Sequence, residues 1–423
     1  MRQTPVTTAR RACRIPAGMA RSIGSGQVVV ILAALALAWR VDAKMVGKWD
    51  PIENRIGIDI HVLRDDARLD LVRDSGMGWV RADFDWWSFN PAPGVFDFST
   101  LDAVVSKATA RGLKIFPSIG YTPTWATSGD FRTGVPDNVG DWTTAVTTVV
   151  NRYRNDIQHW GIWNEPNTTG FWTGTRQQFI DVIVKPAADA IHAADPNALV
   201  VGPELAHFVS AGRVFYEWLD DILTQAGDRI DILSHHTYPR PLASDHTSIT
   251  RQLDADTLFG DNPDNWGFLG FHPSLREVLE ALGWSGDVWL TEFGWRTTDL
   301  SEQQIADNYT GLFNDWLTGD PSRNWIDKFM LYHAETDEYG LFNPDGSPRP
   351  AYFAIRDFVD LHSIPEPGVG ALFSLGCCVI GRRQRRSEAP AIRRRRPRTT
   401  GRGGPEPSGL RVTTGPFAAC RLY

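Results

Sequence analysis

Cysteine is missing from the body of the chain. All four, Cys13, Cys377, Cys378 and Cys420, lie in the terminal segments, and residues 44–376 have none. That excludes a disulfide framework, a thiolate nucleophile and a Cys-based metal site there. A His-Glu-x-x-His pattern is missing too, so no histidine pair has the helical spacing of a zinc hydrolase; no metal site and no cofactor are expected. No Gly-rich phosphate loop follows the first β-rich run, which weighs against a nucleotide-binding sheet. Long apolar runs are scarce. The stretch Val28–Trp39 has twelve apolar residues, enough for a signal h-region and too few to span a bilayer.

Net positive charge is likewise absent from the middle. Residues 1–44 carry +6 and residues 382–423 carry +10; with the whole chain at -7, residues 45–381 hold -23. An acidic body repels nucleic acid, so no nucleic-acid partner is expected. The arginines before Val28 and the small residues of Val41-Asp42-Ala43 mark 1–43 as a signal peptide for a signal peptidase, and hence predict export.

What is present is an alternation. From about Arg55 to Leu361, short β-rich runs alternate with amphipathic helical segments. The runs predict strands at Ile56–Val62, Trp79–Trp86, Lys114–Gly120, the segment from His159, Leu199–Ala206, Ile230–Tyr238, Val288–Trp295 and Lys328–Ala334. Helices are expected between them, including one over Gln177–Ala194 and one opened by the capping box Ser301-Glu302-Gln303-Gln304. A loop of some thirty residues is expected after the sixth strand. Eight strand-then-helix units over residues 48–362 predict an α/β fold of the (β/α)8 TIM-barrel type, with an open doubly wound sheet as the competitor.

In such a barrel the strand ends carry function. Two of them end in glutamate. The fourth runs Trp160-Gly161-Ile162-Trp163-Asn164-Glu165-Pro166, and the seventh runs Thr291-Glu292-Phe293-Gly294. A carboxylate at the end of a buried strand is costly unless it has a partner or a task. Either glutamate alone also reads as a strand cap. Together, across the mouth of a barrel, they suit glycoside hydrolysis, which needs one carboxylic acid and one carboxylate. Sequence spacing does not measure the gap that separates retention from inversion. Seventeen tryptophans add aromatic planes that suit sugar rings, though core packing accounts for most. Trp125, Trp163 and Trp295 are candidate platforms.

The Trp163–Pro166 and Thr291–Gly294 motifs resemble those of the clan A retaining glycoside hydrolases, in a family 39-like or family 5-like form. Residue by residue, the resemblance implies Glu165 as acid/base and Glu292 as nucleophile. It implies Asn164 on the sugar 2-hydroxyl, and from His236-Thr237-Tyr238 it implies Tyr238 orienting Glu292 with His236 lining the site. Arg81 would hold Glu292 ionised. Where the clan often has a tryptophan at the end of strand eight, this chain has Tyr332-His333, so His333 or Tyr332 is expected to fill that space.

Beyond the barrel, residues 363–386 hold Pro365-Glu366-Pro367, an apolar run at 369–380 and an arginine cluster. They resemble a PEP-CTERM sorting segment, which implies an exosortase partner and transient membrane anchoring through 369–380. Residues 387–423 read as a disordered basic tail. The expectation is an exported, cell-surface or matrix-associated enzyme that cleaves an oligosaccharide or polysaccharide by double displacement. A non-catalytic carbohydrate-binding barrel and a transglycosylase using the same residues are the alternatives.

Overall fold

In the computed structural model, which describes residues 50–207, 213–239, 245–254, 273–319 and 321–363, eight parallel strands close into one barrel in chain order. They are β1 (Ile56–Asp59), β2 (Trp79–Asp85), β3 (Lys114–Gly120), β4 (His159–Ile162), β5 (Leu199–Ala206), β6 (Ile232–His236), β7 (Asp287–Phe293) and β8 (Ile326–Leu331). Between and after them lie α1 (Asp66–Asp74), α2 (Ser99–Thr109), α3 (Val139–Tyr153), α4 (Lys185–Ala194), α5 (Phe215–Ala226), α6 (His246–Leu253), α7 (Leu275–Ala281), α8 (Glu302–Phe313) and α9 (Pro350–His362). The fold is the expected (β/α)8 barrel. The proposed signal peptide, sorting segment and basic tail lie outside the described residues. Among the described residues no helix is long and apolar enough to cross a membrane.

Alternation along each strand sorts the side chains. Residues such as Val80, Trp160, Leu233 and Phe329 face the helices and join the large core between sheet and helical layer. The opposite set fills the lumen: Trp79, Phe116, Val201, Ile232, Trp289 and Met330 pack together as a separate apolar plug. Two glycines make room for it. A Cβ on Gly57 would lie 2.7 Å from the Trp79 Cβ, and one on Gly161 would lie 2.9 Å from the Pro117 carbonyl and 3.0 Å from the Phe116 ring. This plug closes the lumen, so polar lumen residues one turn of the pleat higher, Asp59, Arg81, Ser118, Ser234 and Thr291, sit on an apolar floor at the carboxyl ends of the strands.

Three elements depart from the sequence expectation. The helix over 177–194 is interrupted by a π-helical turn at Phe179–Val184 before α4 begins. Pro186 explains it, because its ring lacks the donor and crowds the preceding carbonyls, so the ladder widens there. The stretch after β6 contains α6, started by the Asp245 side chain accepting from the Thr247 amide; it is not one continuous loop. Several strands also end earlier than expected, β4 at Ile162 and β8 at Leu331. Asn164, Glu165 and His333 therefore sit just beyond the ladder, in strand-to-helix turns, whereas Arg81, Glu204, His236 and Glu292 lie within their strands.

Candidate active site

The turn after β4 is built to aim its side chains. Trp163 has φ +68° and Glu165 φ +40°, and across from them Glu204 near the end of β5 has φ +55°. Such left-handed backbone is costly for residues with a Cβ and persists only where the surroundings fix it. Here they do. The Glu165 amide donates to the Glu204 carbonyl at 2.9 Å. Asn167 clamps the same two segments, its Nδ2 donating to the Ala206 carbonyl at 2.7 Å and its Oδ1 accepting from the Ala206 amide at 2.9 Å. Ser118 of β3 donates from its hydroxyl to the Trp163 carbonyl. β5 carries a register shift between Gly202 and Leu205, which turns Glu204 into the lumen.

Glu165 and Glu292 face each other as expected, with one carboxylate oxygen of each and a His236 ring nitrogen all within 4.8 Å of one another. Both glutamates keep a small opening to solvent, at 8% and 6% exposure. Each oxygen of Glu292 has its own partner. Arg81 Nη1 pairs with Oε1 at 2.9 Å, and the Tyr238 hydroxyl donates to Oε2 at 2.9 Å. Burial pushes the Glu292 carboxyl up to about 7, against the lowering pull of His236 and Arg81. Arg81 acts in the expected direction, favouring the ionised form, but desolvation outweighs the two cations.

His236 is fully buried among carboxylates. Its Nδ1 lies 3.2 Å from Glu165 Oε1 and 3.5 Å from Glu292 Oε2, and its Nε2 lies 2.8 Å from Glu204 Oε2. Burial alone would lower its pKa; Glu292, Glu165 and Glu204 overcome that and raise it to about 10, so the ring is an imidazolium at neutral pH. Its neighbours His235 and Thr237 point to the helical layer, where His235 bonds His207 and Thr237 bonds Gln252. Asn164 Oδ1 accepts from Arg81 Nη2 at 2.7 Å, which leaves its amide nitrogen for a ligand.

A second network borders the pair. His61 joins Asp83 through Nδ1 at 2.8 Å and His333 through Nε2 at 2.8 Å, and His333 joins Asp337 at 2.8 Å. Asp59 beneath it pairs with Arg81 and accepts from the His61 amide. The Asp59 carboxylate is the main cause that raises His61 to about 10. Burial, with Asp83 beside it, raises Asp85 to about 6. Donor atoms of Asp59, His61 and Asp83 come within 4.8 Å of one another, the spacing of a metal cluster. Both ring nitrogens of His61 and both oxygens of Asp59 are already committed to neighbouring groups.

The structure brings Glu165, Glu292, Asn164, Arg81, His236 and Tyr238 together. It places the others differently. Trp295 is 1% exposed and packs edge-on to Tyr309 and Phe293 under α8, so it is a core residue and not a sugar platform. Trp163 is wholly buried against Trp142 and Trp172. Trp125 stays half-buried at the β2–β3 rim, edge-on to Trp86, with its indole N–H donating to the Asn90 carbonyl. His333 is 3% exposed and serves the His61 relay. Tyr332 is the half-exposed aromatic at the end of β8, standing edge-on to Tyr238 and Tyr339. Glu204 and Asp59 are visible in sequence as strand-end charges inside apolar runs, but not their pairing with His236 and Arg81.

Comparison with known proteins agrees with this geometry. The family described as glycosyl hydrolases family 39 matches residues 60–265, a span that includes Glu165 and stops before Glu292. The chain is similar to a β-xylosidase of Caldicellulosiruptor saccharolyticus, 24% identical over 327 residues that make up 69% of this chain and 62% of that protein. It is also similar to a β-xylosidase of Geobacillus stearothermophilus, 25% identical over 160 residues, 34% of this chain and 31% of that one. The chain thus spans less than two thirds of the length of these curated relatives. In fold it resembles a family 39 glycoside hydrolase from Bacteroides cellulosilyticus, with TM-score 0.58 and 20% identity, covering 75% of this chain and 65% of that one. A monomeric β-xylosidase from Caulobacter crescentus gives TM-score 0.55 and 18% identity, covering 73% and 68%.

Proposed function

We propose that the protein is a retaining glycoside hydrolase that cleaves O-glycosidic bonds by double displacement. The observation that carries this is the gap between Glu165 and Glu292. One oxygen of each carboxylate within 4.8 Å of the other accords with the close pair, about 5–5.5 Å apart, of retaining enzymes better than with the about 6.5–9.5 Å that an inverting enzyme keeps for its water.

Glu292, gripped on both oxygens, attacks the anomeric carbon while Glu165 gives its proton to the leaving oxygen. Glu165, then a carboxylate, takes a proton from the water that releases the sugar. The free amide nitrogen of Asn164 is placed to donate to the sugar hydroxyl next to the anomeric carbon. The names of the two curated relatives favour a β-xyloside or a glycoside of similar equatorial geometry as substrate. Export through residues 1–43 and sorting through 363–386 complete the proposal and rest on the sequence patterns there. The test is proton NMR of the first sugar released from an aryl β-xyloside. Retention requires the β-anomer first, and the α-anomer first would overturn the mechanism.

A further inference from the structure

A third carboxylate lies beneath the catalytic pair. Glu204 is fully buried. Its Oε2 accepts from His236 Nε2 at 2.8 Å, from Arg81 Nη2 at 3.2 Å and from the Thr291 hydroxyl at 3.3 Å. Its other oxygen, Oε1, is buried without a hydrogen-bond partner. A buried carboxylate with one oxygen left unpaired costs stability, so packing alone does not account for it. Its backbone is committed as well: the Glu204 carbonyl holds the Glu165 amide at 2.9 Å, and its own amide donates to the Ser234 hydroxyl at 2.9 Å.

The double displacement proposed above moves charge across this cluster. When a Glu292 oxygen bonds the anomeric carbon, the carboxylate becomes a neutral ester. In the same step the bond to the leaving oxygen breaks, and that oxygen takes the Glu165 proton. One negative charge leaves Glu292 and one appears on Glu165. Arg81, 2.9 Å from Glu292, loses a counter-charge. The Nδ1 of His236 lies between the two glutamates, at 3.2 and 3.5 Å.

We propose that Glu204 is a positioning residue, the fixed anion that holds the far side of the His236 ring so that the ring stays an imidazolium and its Nδ1–H follows the negative charge from Glu292 to Glu165. Glu204 also remains as the counter-ion of Arg81, together with Asp59, while Glu292 is esterified. This inference rests on the retaining reading of the pair. The charged and titratable groups around His236 are Glu165 beyond β4, Glu204 on β5, Glu292 on β7 and Arg81 on β2. Its neighbour His235 points away, and Tyr238 is engaged with Glu292.

The test is Glu204→Gln in the full chain, which keeps the shape and removes the charge. With an aryl glycoside of good leaving ability, kcat is expected to fall about 10- to 100-fold, the size of one hydrogen bond to a charged group, with KM changed far less. The alkaline limb of the pH profile should move to lower pH. Independently, the His236 imidazole resonance, assigned by its loss in His236→Asn, should titrate at lower pH in Glu204→Gln than in the unaltered protein. A lowered melting temperature with an unmoved pH profile and an unmoved His236 titration would overturn the proposal. If Glu204→Gln does not fold, Glu204→Asp, which withdraws the charge from Nε2, should give the same shifts, and their absence overturns it equally. A shifted His236 titration in a protein that cleaves no glycoside would sustain the role of Glu204 and refute the hydrolase reading instead.

Discussion

The Tyr238 hydroxyl donates to Glu292 Oε2 at 2.9 Å while Arg81 holds the other oxygen at 2.9 Å. Together they fix the plane of the carboxylate, so its attack needs no rotation. They also oppose the burial that raises this group. Removing the phenol hydroxyl should therefore act on the reaction more than on binding. In Tyr238→Phe, kcat is expected to drop by about 10- to 100-fold, as for the loss of one hydrogen bond to a charged group, with KM within a few-fold. Steady-state kinetics on one aryl glycoside checks this; unchanged kcat would remove Tyr238 from the account.

Glu165 matters in proportion to how much proton the leaving oxygen needs. Glu165→Gln should slow substrates with poor leaving groups by about 10²- to 10⁴-fold and spare highly activated aryl glycosides in the first step. A plot of log kcat/KM against leaving-group pKa should steepen. Equal slopes in the two proteins would deny Glu165 the acid role.

Trp295 separates packing from binding. Its burial beside Tyr309 and Phe293 predicts that Trp295→Ala lowers stability by about 3–5 kcal/mol, read by denaturant unfolding. The KM of the folded fraction should stay within a few-fold. A large KM change with little loss of stability would restore it as a sugar platform.

Four histidines, His235 and His236 buried and His61 and His159 partly so, set the pH dependence of stability. Burial, with Lys328 and Lys114 nearby, lowers His159 to about 4, and burial with His236 lowers His235 to about 3. Below the unfolded value of about 6.5 the unfolded chain takes up protons that these two refuse, so stability falls as pH drops. His61 and His236, raised to about 10, contribute fully below that unfolded value and lose their contribution as pH rises toward their folded values. Glu292, raised to about 7 from an ordinary 4.5, adds a loss over that interval as pH rises. Thermal melts from pH 4 to 9 should show maximum stability at about pH 6–7. A melting temperature still climbing between pH 7 and 9 would contradict this.

The barrel was legible because period-2 and helical patterns alternate eight times, and local pattern dictates local structure. The Glu165/Glu292 pair was legible because two short motifs fall at strand ends. What stayed hidden depends on side-chain direction and on pairings between segments far apart in sequence. Trp295 lies two residues beyond the end of β7, but there it faces α8. Glu204 was one charge in an apolar run, and only the register shift in β5 turns it toward His236. The π-helical turn was foreshadowed by Pro186, inside what otherwise reads as one continuous helix.

The central claim is that Glu292 forms a bond to the sugar. Glu292→Gly should lose turnover of an aryl β-xyloside by several orders of magnitude, a deficit that sodium azide should partly restore, with release of an α-glycosyl azide formed by direct displacement. A variant that keeps its activity, or one in which azide yields the β-glycosyl azide, would contradict the assignment of Glu292 as nucleophile.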